Sequence, residues 1–240
     1  MSLSIVISTD NSAISGNSIF KNGQSRGKST GTYIWAVNIQ YKDKKNKFVL
    51  SQHTRSFVVG MILGDANINK HGSHHRLFIK HGIHQIGYLQ WKRKLLDPIT
   101  GMSPDIFRQK VLGKFYRFGQ FATLTHEVFD ELHSVFYKNR TKIVPARIER
   151  FLDERALATW IMDDGAKDNV GMTIQTHSFH EKEVGRLISA LRKKFNVQAS
   201  KRQNKGHYII YIPKDQIFLV WNLVRRYILP QFRYKFPLIP

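Results

Sequence analysis

Two aspartates, Asp65 and Asp164, each close an apolar stretch, and the two stretches resemble one another. The first runs Val58-Val59-Gly60-Met61-Ile62-Leu63-Gly64-Asp65-Ala66 and the second Leu157-Ala158-Thr159-Trp160-Ile161-Met162-Asp163-Asp164-Gly165. Two carboxylates brought together raise one another's pKa unless a cation intervenes. A bound Mg²⁺ removes that conflict, because it takes one or two carboxylates, keeps several waters and bridges to substrate phosphates. The chemistry the pair supports is divalent-metal-assisted hydrolysis of a phosphate ester. Either copy alone reads as the C-terminal turn of a core helix; the second copy in equivalent context points to a shared site.

A second pair repeats with the first. Lys142, in Lys142-Ile143-Val144-Pro145, stands 77 residues past Asp65 (142 − 65), and Lys235, in Lys235-Phe236-Pro237, stands 71 past Asp164 (235 − 164). Each half of the chain therefore offers one aspartate and one lysine.

The elements that must position these groups are two short helices. Gly60 and Gly64 are four apart and share one helix face, where small residues let two backbones approach closely. Thr159 and Asp163 take the matching places in the second copy. The helices are expected over 56–66 and 154–164, apolar nearly all round and hence buried, with Ser56 and Asp153 as N-caps. A carboxylate at a helix C-terminus is disfavoured by about 0.3–1 kcal/mol, so the aspartates sit there against stability.

The two stretches resemble the paired motifs of the LAGLIDADG homing endonucleases in their single-chain, two-motif form. The first copy keeps Gly60, Ile62 and Asp65; the second keeps Leu157, Ala158, Ile161, Asp164 and Gly165. The resemblance spans about 55–240, and the run Leu229–Pro237 adds to it. It implies an α+β fold of two pseudo-symmetric αββαββα halves, the motif helices packed at the centre and two antiparallel sheets forming a DNA-binding saddle. It further implies metal ligation by Asp65 and Asp164 and by the backbone carbonyls of Gly64 and Asp163, and a catalytic role for Lys142 and Lys235 beside the scissile phosphates. Asp163 departs from the family, which usually has a small residue there. The implied cofactor is Mg²⁺, with Mn²⁺ or Ca²⁺ able to substitute for binding. The implied reaction is a staggered double-strand cut of a long DNA site, leaving 3′ overhangs, for intron mobility.

Composition agrees with such a partner. The chain has 38 Lys and Arg against 17 Asp and Glu, a net charge of +21. That excess points to a polyanion, and double-stranded DNA leads. No apolar run approaches the roughly 18 residues of a membrane span. The absence of cysteine excludes disulfides, thiol nucleophiles and cysteine–zinc sites. The cluster His71, His74, His75, His81 and His84 reads as surface or phosphate-facing histidines, with a His-only zinc site left open.

Residues 1–50 form an extension: Ser-, Asn-, Gly- and Lys-rich over 8–32, with strand character over 32–41 and a basic turn at Lys42–Lys47. The halves follow at 51–150 and 151–240. The first reads as the helix 56–66, a polar turn to 73, a strand 76–81, a helix 84–96, strands 107–112 and 114–124, and a helix 126–137. The second reads as the helix 154–164, a turn 167–171, a strand 172–177, a helix 181–195, strands 197–203 and 208–212, and a helix 215–228. Candidate DNA contacts on the strands are Arg76, Lys80, Lys114, Arg117 and Gln120 in one half and Gln175, His177, Ser200, Arg202 and Lys205 in the other.

Three functions fit: the endonuclease, an intron RNA-splicing maturase with host intron RNA as partner, and a non-cleaving sequence-specific DNA-binding protein. The retained aspartate and lysine pairs favour the endonuclease, acting as a monomer. An organellar intron, mitochondrial or chloroplast, is the expected source of the reading frame.

Overall fold

A computed structural model describes residues 48–100 and 103–237. The extension at 1–50, with its strand at 32–41 and basic turn, lies almost wholly outside the described residues.

Helix α1 (Gln52–Leu63) starts at Ser51, whose Oγ accepts the Thr54 N–H at 3.1 Å. Ser56, expected as the cap, is instead buried inside the helix, and its Oγ donates to the Gln52 carbonyl. The first turn, Gln52-His53-Thr54-Arg55, carries no apolar repeat, so pattern alone began the helix a turn late. The helix also ends early, at Leu63, which places Asp65 in the turn beyond it. Helix α4 (Glu154–Asp164) follows expectation: the Asp153 carboxylate accepts the Arg155 and Ala156 N–H groups, and Asp164 is its last residue.

α1 and α4 pack against each other through the small residues. A Cβ placed on Gly60 would lie 2.4 Å from the Ala156 carbonyl oxygen and 2.7 Å from Thr159 Cβ; one on Gly64 would lie 2.5 Å from Asp163 Cβ. Only glycine permits that approach. Ser56–Leu63 and Ala156–Met162 are buried on all sides, Trp160 completely.

Each motif helix is followed by the same succession. In the first half come β1 (Asn67–His71), β2 (His74–Gly82), α2 (Ile86–Leu95), β3 (Asp105–Val111), β4 (Lys114–Ala122) and α3 (Glu127–Phe136). A two-residue ladder closes that half, β5 (Tyr137–Lys138) with β6 (Thr141–Lys142). In the second come β7 (Gly165–Asp168), β8 (Gly171–Ile174), α5 (Glu181–Phe195), β9 (Ser200–Asn204), β10 (His207–Ile212) and α6 (Lys214–Val224). The sheets are antiparallel with matching orders, β1-β2-β4-β3 and β7-β8-β10-β9. This is the expected pair of αββαββα halves, with β1 and β7 lying where the sequence suggested only polar turns.

Register assigns the faces, because directly opposed residues share one side of a sheet. Leu77 and Ile79 face the helices in the first sheet, as do Met172, Ile174, Ile210 and Ile212 in the second; all six are fully buried. Gly119 lets α2 lie on the first sheet, since a Cβ there would meet Ile86 and Leu89 at 2.7 and 3.0 Å. Among the described residues, no helix covers the other face of either sheet. One continuous apolar core runs through both halves, from Phe57 to Phe236. The long hairpins turn at Leu112–Gly113 and Lys205–Gly206, all four at positive φ, as two-residue type I′ hairpin turns require.

Candidate metal-dependent cleavage site

Asp65 and Asp164 stand at the C-terminal ends of the paired helices. Asp164 is half-buried and its carboxyl is pushed up to about 8, by burial first and then by the Asp65 and Asp163 carboxylates. Asp65 is pushed up to about 6, by burial and then by Asp163, with Lys92, Lys142 and Lys235 opposing. Its side chain remains 41 % accessible, so solvent screens it more than Asp164. Asp65 thus raises Asp164, while the carboxylate that raises Asp65 is Asp163; crowded carboxylates of this kind are in a conflict that a cation relieves. The donors suit a hard divalent ion: carboxylate and carbonyl oxygens with an open, solvent-reached side.

The lysines cap the helix ends. Lys142, held by the short β5–β6 hairpin, donates to the carbonyls of Gly64 at 3.0 Å and Ala66 at 2.9 Å. Lys235, in the 3₁₀ turn Pro230–Lys235, donates to Ile161, Met162 and Asp163 carbonyls at 3.2, 2.6 and 3.2 Å. Both donate to carbonyls at the helix ends, of which Ile161 also accepts the Gly165 N–H, and oppose the negative helix terminus. Burial lowers both ammonium pKa values, with the neighbouring aspartates opposing. Each lysine touches a carbonyl, Gly64 or Asp163, that the family resemblance makes a metal ligand; a carbonyl has two lone pairs and can serve both. Among the described residues Lys142 makes two hydrogen bonds, which leaves one proton of its half-buried ammonium unused. Lys235 is 5 % exposed and spends all three.

Sequence reasoning missed the groups behind Asp65. His81, Tyr88 and Lys92 are buried beside it, and Asp163 points into them. Asp65, His81 and Asp163 each offer a ligand atom, all within 4.8 Å of one another. That is the single such metal-capable group among the described residues, and Asp164 lies outside it. The signal for Lys92 was present: it occupies the apolar stripe Ile86, Leu89, Lys92, Leu96, where a lone charge needs a buried partner. His81 was grouped with surface histidines, yet it faces the core in register with Leu77 and Ile79. His74 and His75 instead hold Asp130, each at 2.6 Å through Nδ1.

The expected DNA contacts distribute unevenly. Lys80 and Gln120 are directly opposed on the open face of the first sheet, with Arg76 and Lys114 on the same side. Lys80 donates to Gln109 at 2.5 Å and lies 4.5 Å over the Phe118 ring. Arg117 does not join them. It pairs with Arg108 and shares the parity of Gly119 and Phe121, so it lies on the helix side, exposed where the hairpin runs past the helices. The error is one of period: Lys114 and Arg117 are an odd number apart, and strand side chains alternate. In the second sheet Gln175, Ser200 and Arg202 share the open face with Thr173, Ile209 and Tyr211. Arg202 stacks 3.1 Å above Tyr211 and pairs with Asp168 at 3.1 Å. His177 is exposed just past β8 with its ring 5.1 Å from His207, and Lys205 sits at the exposed β9–β10 turn.

Paired helices ending in coupled carboxylates, set between two sheets with open polar faces, define a two-motif nuclease scaffold. The model of the LAGLIDADG DNA endonuclease family matches residues 55–218. The chain belongs to that family. A probable intron-encoded endonuclease of Wickerhamomyces canadensis is 33 % identical over 209 residues, covering 80 % of this chain and 87 % of its own. A cytochrome b mRNA maturase of Debaryomyces hansenii is 30 % identical, covering 78 % and 74 %. The solved structure of the homing endonuclease I-WcaI bound to its DNA recognition sequence superposes with a TM-score of 0.78 at 32 % identity, over 83 % of this chain and 92 % of that one.

Proposed function

We infer that this chain is a site-specific, intron-encoded DNA endonuclease that binds double-stranded DNA across its two open sheet faces and cuts both strands beneath the motif helices. The observation that carries this is the pair Asp65 and Asp164, each pushed upward by burial and by its neighbours at the junction of two homologous halves. A stability-driven core has no use for such a pair.

Asp65 and Asp164, with the carbonyls of Gly64 and Asp163, would hold the cation, for which Mg²⁺ is the proposal. When bound, it supplies charge neutralisation at phosphorus and eases ionisation of the attacking water. Lys142, with a third donor unused among the described residues, would stabilise charge building on the phosphate. Lys235 is sealed against α4 and would fix the position of the Asp163–Asp164 backbone. Arg76, Lys80, Gln120, Gln175, Ser200 and Arg202 would face the grooves, while Lys114, Lys205, His177 and the outward Arg117 would hold backbone phosphates near the hairpin tips. Monomeric action is proposed because each half supplies one aspartate and one lysine.

The test is cleavage of a plasmid carrying the joined exons that flank the reading frame, with Mg²⁺ and with EDTA. Cutting at the junction with Mg²⁺ alone is expected. A maturase activity on the host intron RNA is a second reading, favoured by the maturase relative at 30 % identity. It predicts faster splicing of that RNA when the protein is added. The cytochrome b transcript in that relative's name supports an organellar host, mitochondrion or chloroplast, and a reading frame inside such an intron would settle it.

A further inference from the structure

We propose that Lys92 is a positioning residue for the cleavage site: it holds the Asp163 carboxylate as a strut between the halves, keeping that carboxylate off the metal and fixing Asp65 from two sides. This rests on the reading of Asp65 as a metal ligand.

Asp163 reaches from the end of α4 into the other half. Its carboxylate accepts from Lys92 Nζ at 2.7 and 2.9 Å and from Tyr88 Oη at 2.7 Å. The side chains of Lys92 and Asp163 are both 0 % exposed. A buried charge pair of this kind is costly to break, because the survivor is left uncompensated. The same carboxylate accepts the Asp65 N–H at 3.2 Å. That is the first arm, from Lys92 through Asp163 to the Asp65 backbone.

The second arm runs through His81. Lys92 Nζ lies 3.0 Å from His81 Nε2. An ammonium only donates, so Nε2 accepts and the ring proton stays on Nδ1. Nδ1 lies 3.5 Å from Asp65 Oδ2. One buried cation therefore holds the Asp65 main chain through Asp163 and sets the His81 ring, which also bonds the Gln85 side chain, against the Asp65 carboxylate.

The arrangement breaks the pseudo-symmetry. Gly64 takes the corresponding place in the first half, and a Cβ there would lie 2.5 Å from Asp163 Oδ2, so the glycine makes room for the strut. Without Lys92, Asp163 would be a second carboxylate within 4.8 Å of Asp65 and His81 that is free to ligate an ion. With Lys92 in place, its oxygens are fully engaged.

The test uses the full-length protein and three variants: Lys92→Met, Asp163→Asn and the double variant. Mn²⁺ binding to the DNA-free protein is followed by titration, cleavage by single-turnover rate, and the Asp65 amide by hydrogen exchange. Lys92→Met should bind Mn²⁺ about tenfold more tightly, because Asp163 is released to the ion. It should also cut about 10- to 100-fold more slowly at unchanged DNA affinity, because Asp65 is misplaced. The double variant should lose the tightening and keep the slow cutting, and exchange at the Asp65 amide should quicken in all three. A Lys92→Met protein that is merely less stable, with Mn²⁺ affinity and rate within about twofold of wild type, would overturn the proposal. Should Lys92→Met fail to fold, the double variant removes both charges, and a wild-type rate in it would overturn the proposal equally. Amide exchange requires neither metal nor cleavage. A wild type that cuts nothing would thus refute the endonuclease reading while the strut is still judged.

Discussion

At the scale of single residues, two carboxylates carry the account. Asp65→Asn and Asp164→Asn should each abolish cleavage while specific DNA affinity changes little, measured by plasmid cutting and by gel-shift titration on one duplex. The pH dependence follows from their shifts. Both folded-state values, about 6 and about 8, lie above the ordinary 3.8, so the folded protein holds protons that the unfolded chain has released. For the metal-free protein this contribution to stability falls as pH rises from about 4 through 8. A cation binds the ionised form and reverses the trend. The Mg²⁺-induced rise in Tm should therefore be larger at pH 8 than at pH 5, and should shrink at both pH values in Asp164→Asn; an increment independent of pH would contradict the coupling. These aspartates were legible because they recur in matching context. Lys92 stood out only as a lone charge in an apolar stripe; its partner, like the role of Tyr88, exists only once Asp163 crosses between halves.

At the scale of elements, the helix pair stands on backbone proximity. Gly60→Ala would press a methyl group to 2.4 Å from the Ala156 carbonyl, so the helices must separate. Overpacking of this kind costs about 1–3 kcal/mol, read as a lower urea midpoint. Removing a cap tests the helix ends. Lys235→Met strips the donor from three carbonyls of α4's last turn, and a loss of about 1–3 kcal/mol is expected, with cleavage reduced because the Asp163–Asp164 backbone loosens. The helices were readable because uniform burial and small residues at fourfold spacing leave a plain pattern. Strands β1 and β7 were not, since Asn67–His71 is exposed apart from Ile68, and only pairing with β2 makes it a strand. The start of α1 was missed for a related reason, its first turn being polar. Arg117 shows the limit of charge pattern without register: the side it occupies is fixed by its opposition to Arg108.

At the scale of the whole molecule, two homologous sheets and a charge of +21 set the interaction with DNA. Affinity should fall steeply between low and moderate salt, because many phosphates are neutralised and their counterions released. Arg202→Ala should relax specificity in one half-site, since its guanidinium lies on the open face beside Ser200 and Tyr211, and a binding-site selection would read the change. The overall architecture was legible because the repeat in sequence became a repeat in topology. The measurement that bears most directly on the central claim is cutting of the joined-exon plasmid by wild type and Asp164→Asn under identical Mg²⁺. The account requires linear product from the first and intact, bound plasmid from the second. Equal cutting by both would mean that the paired carboxylates do not hold the ion on which this chemistry depends.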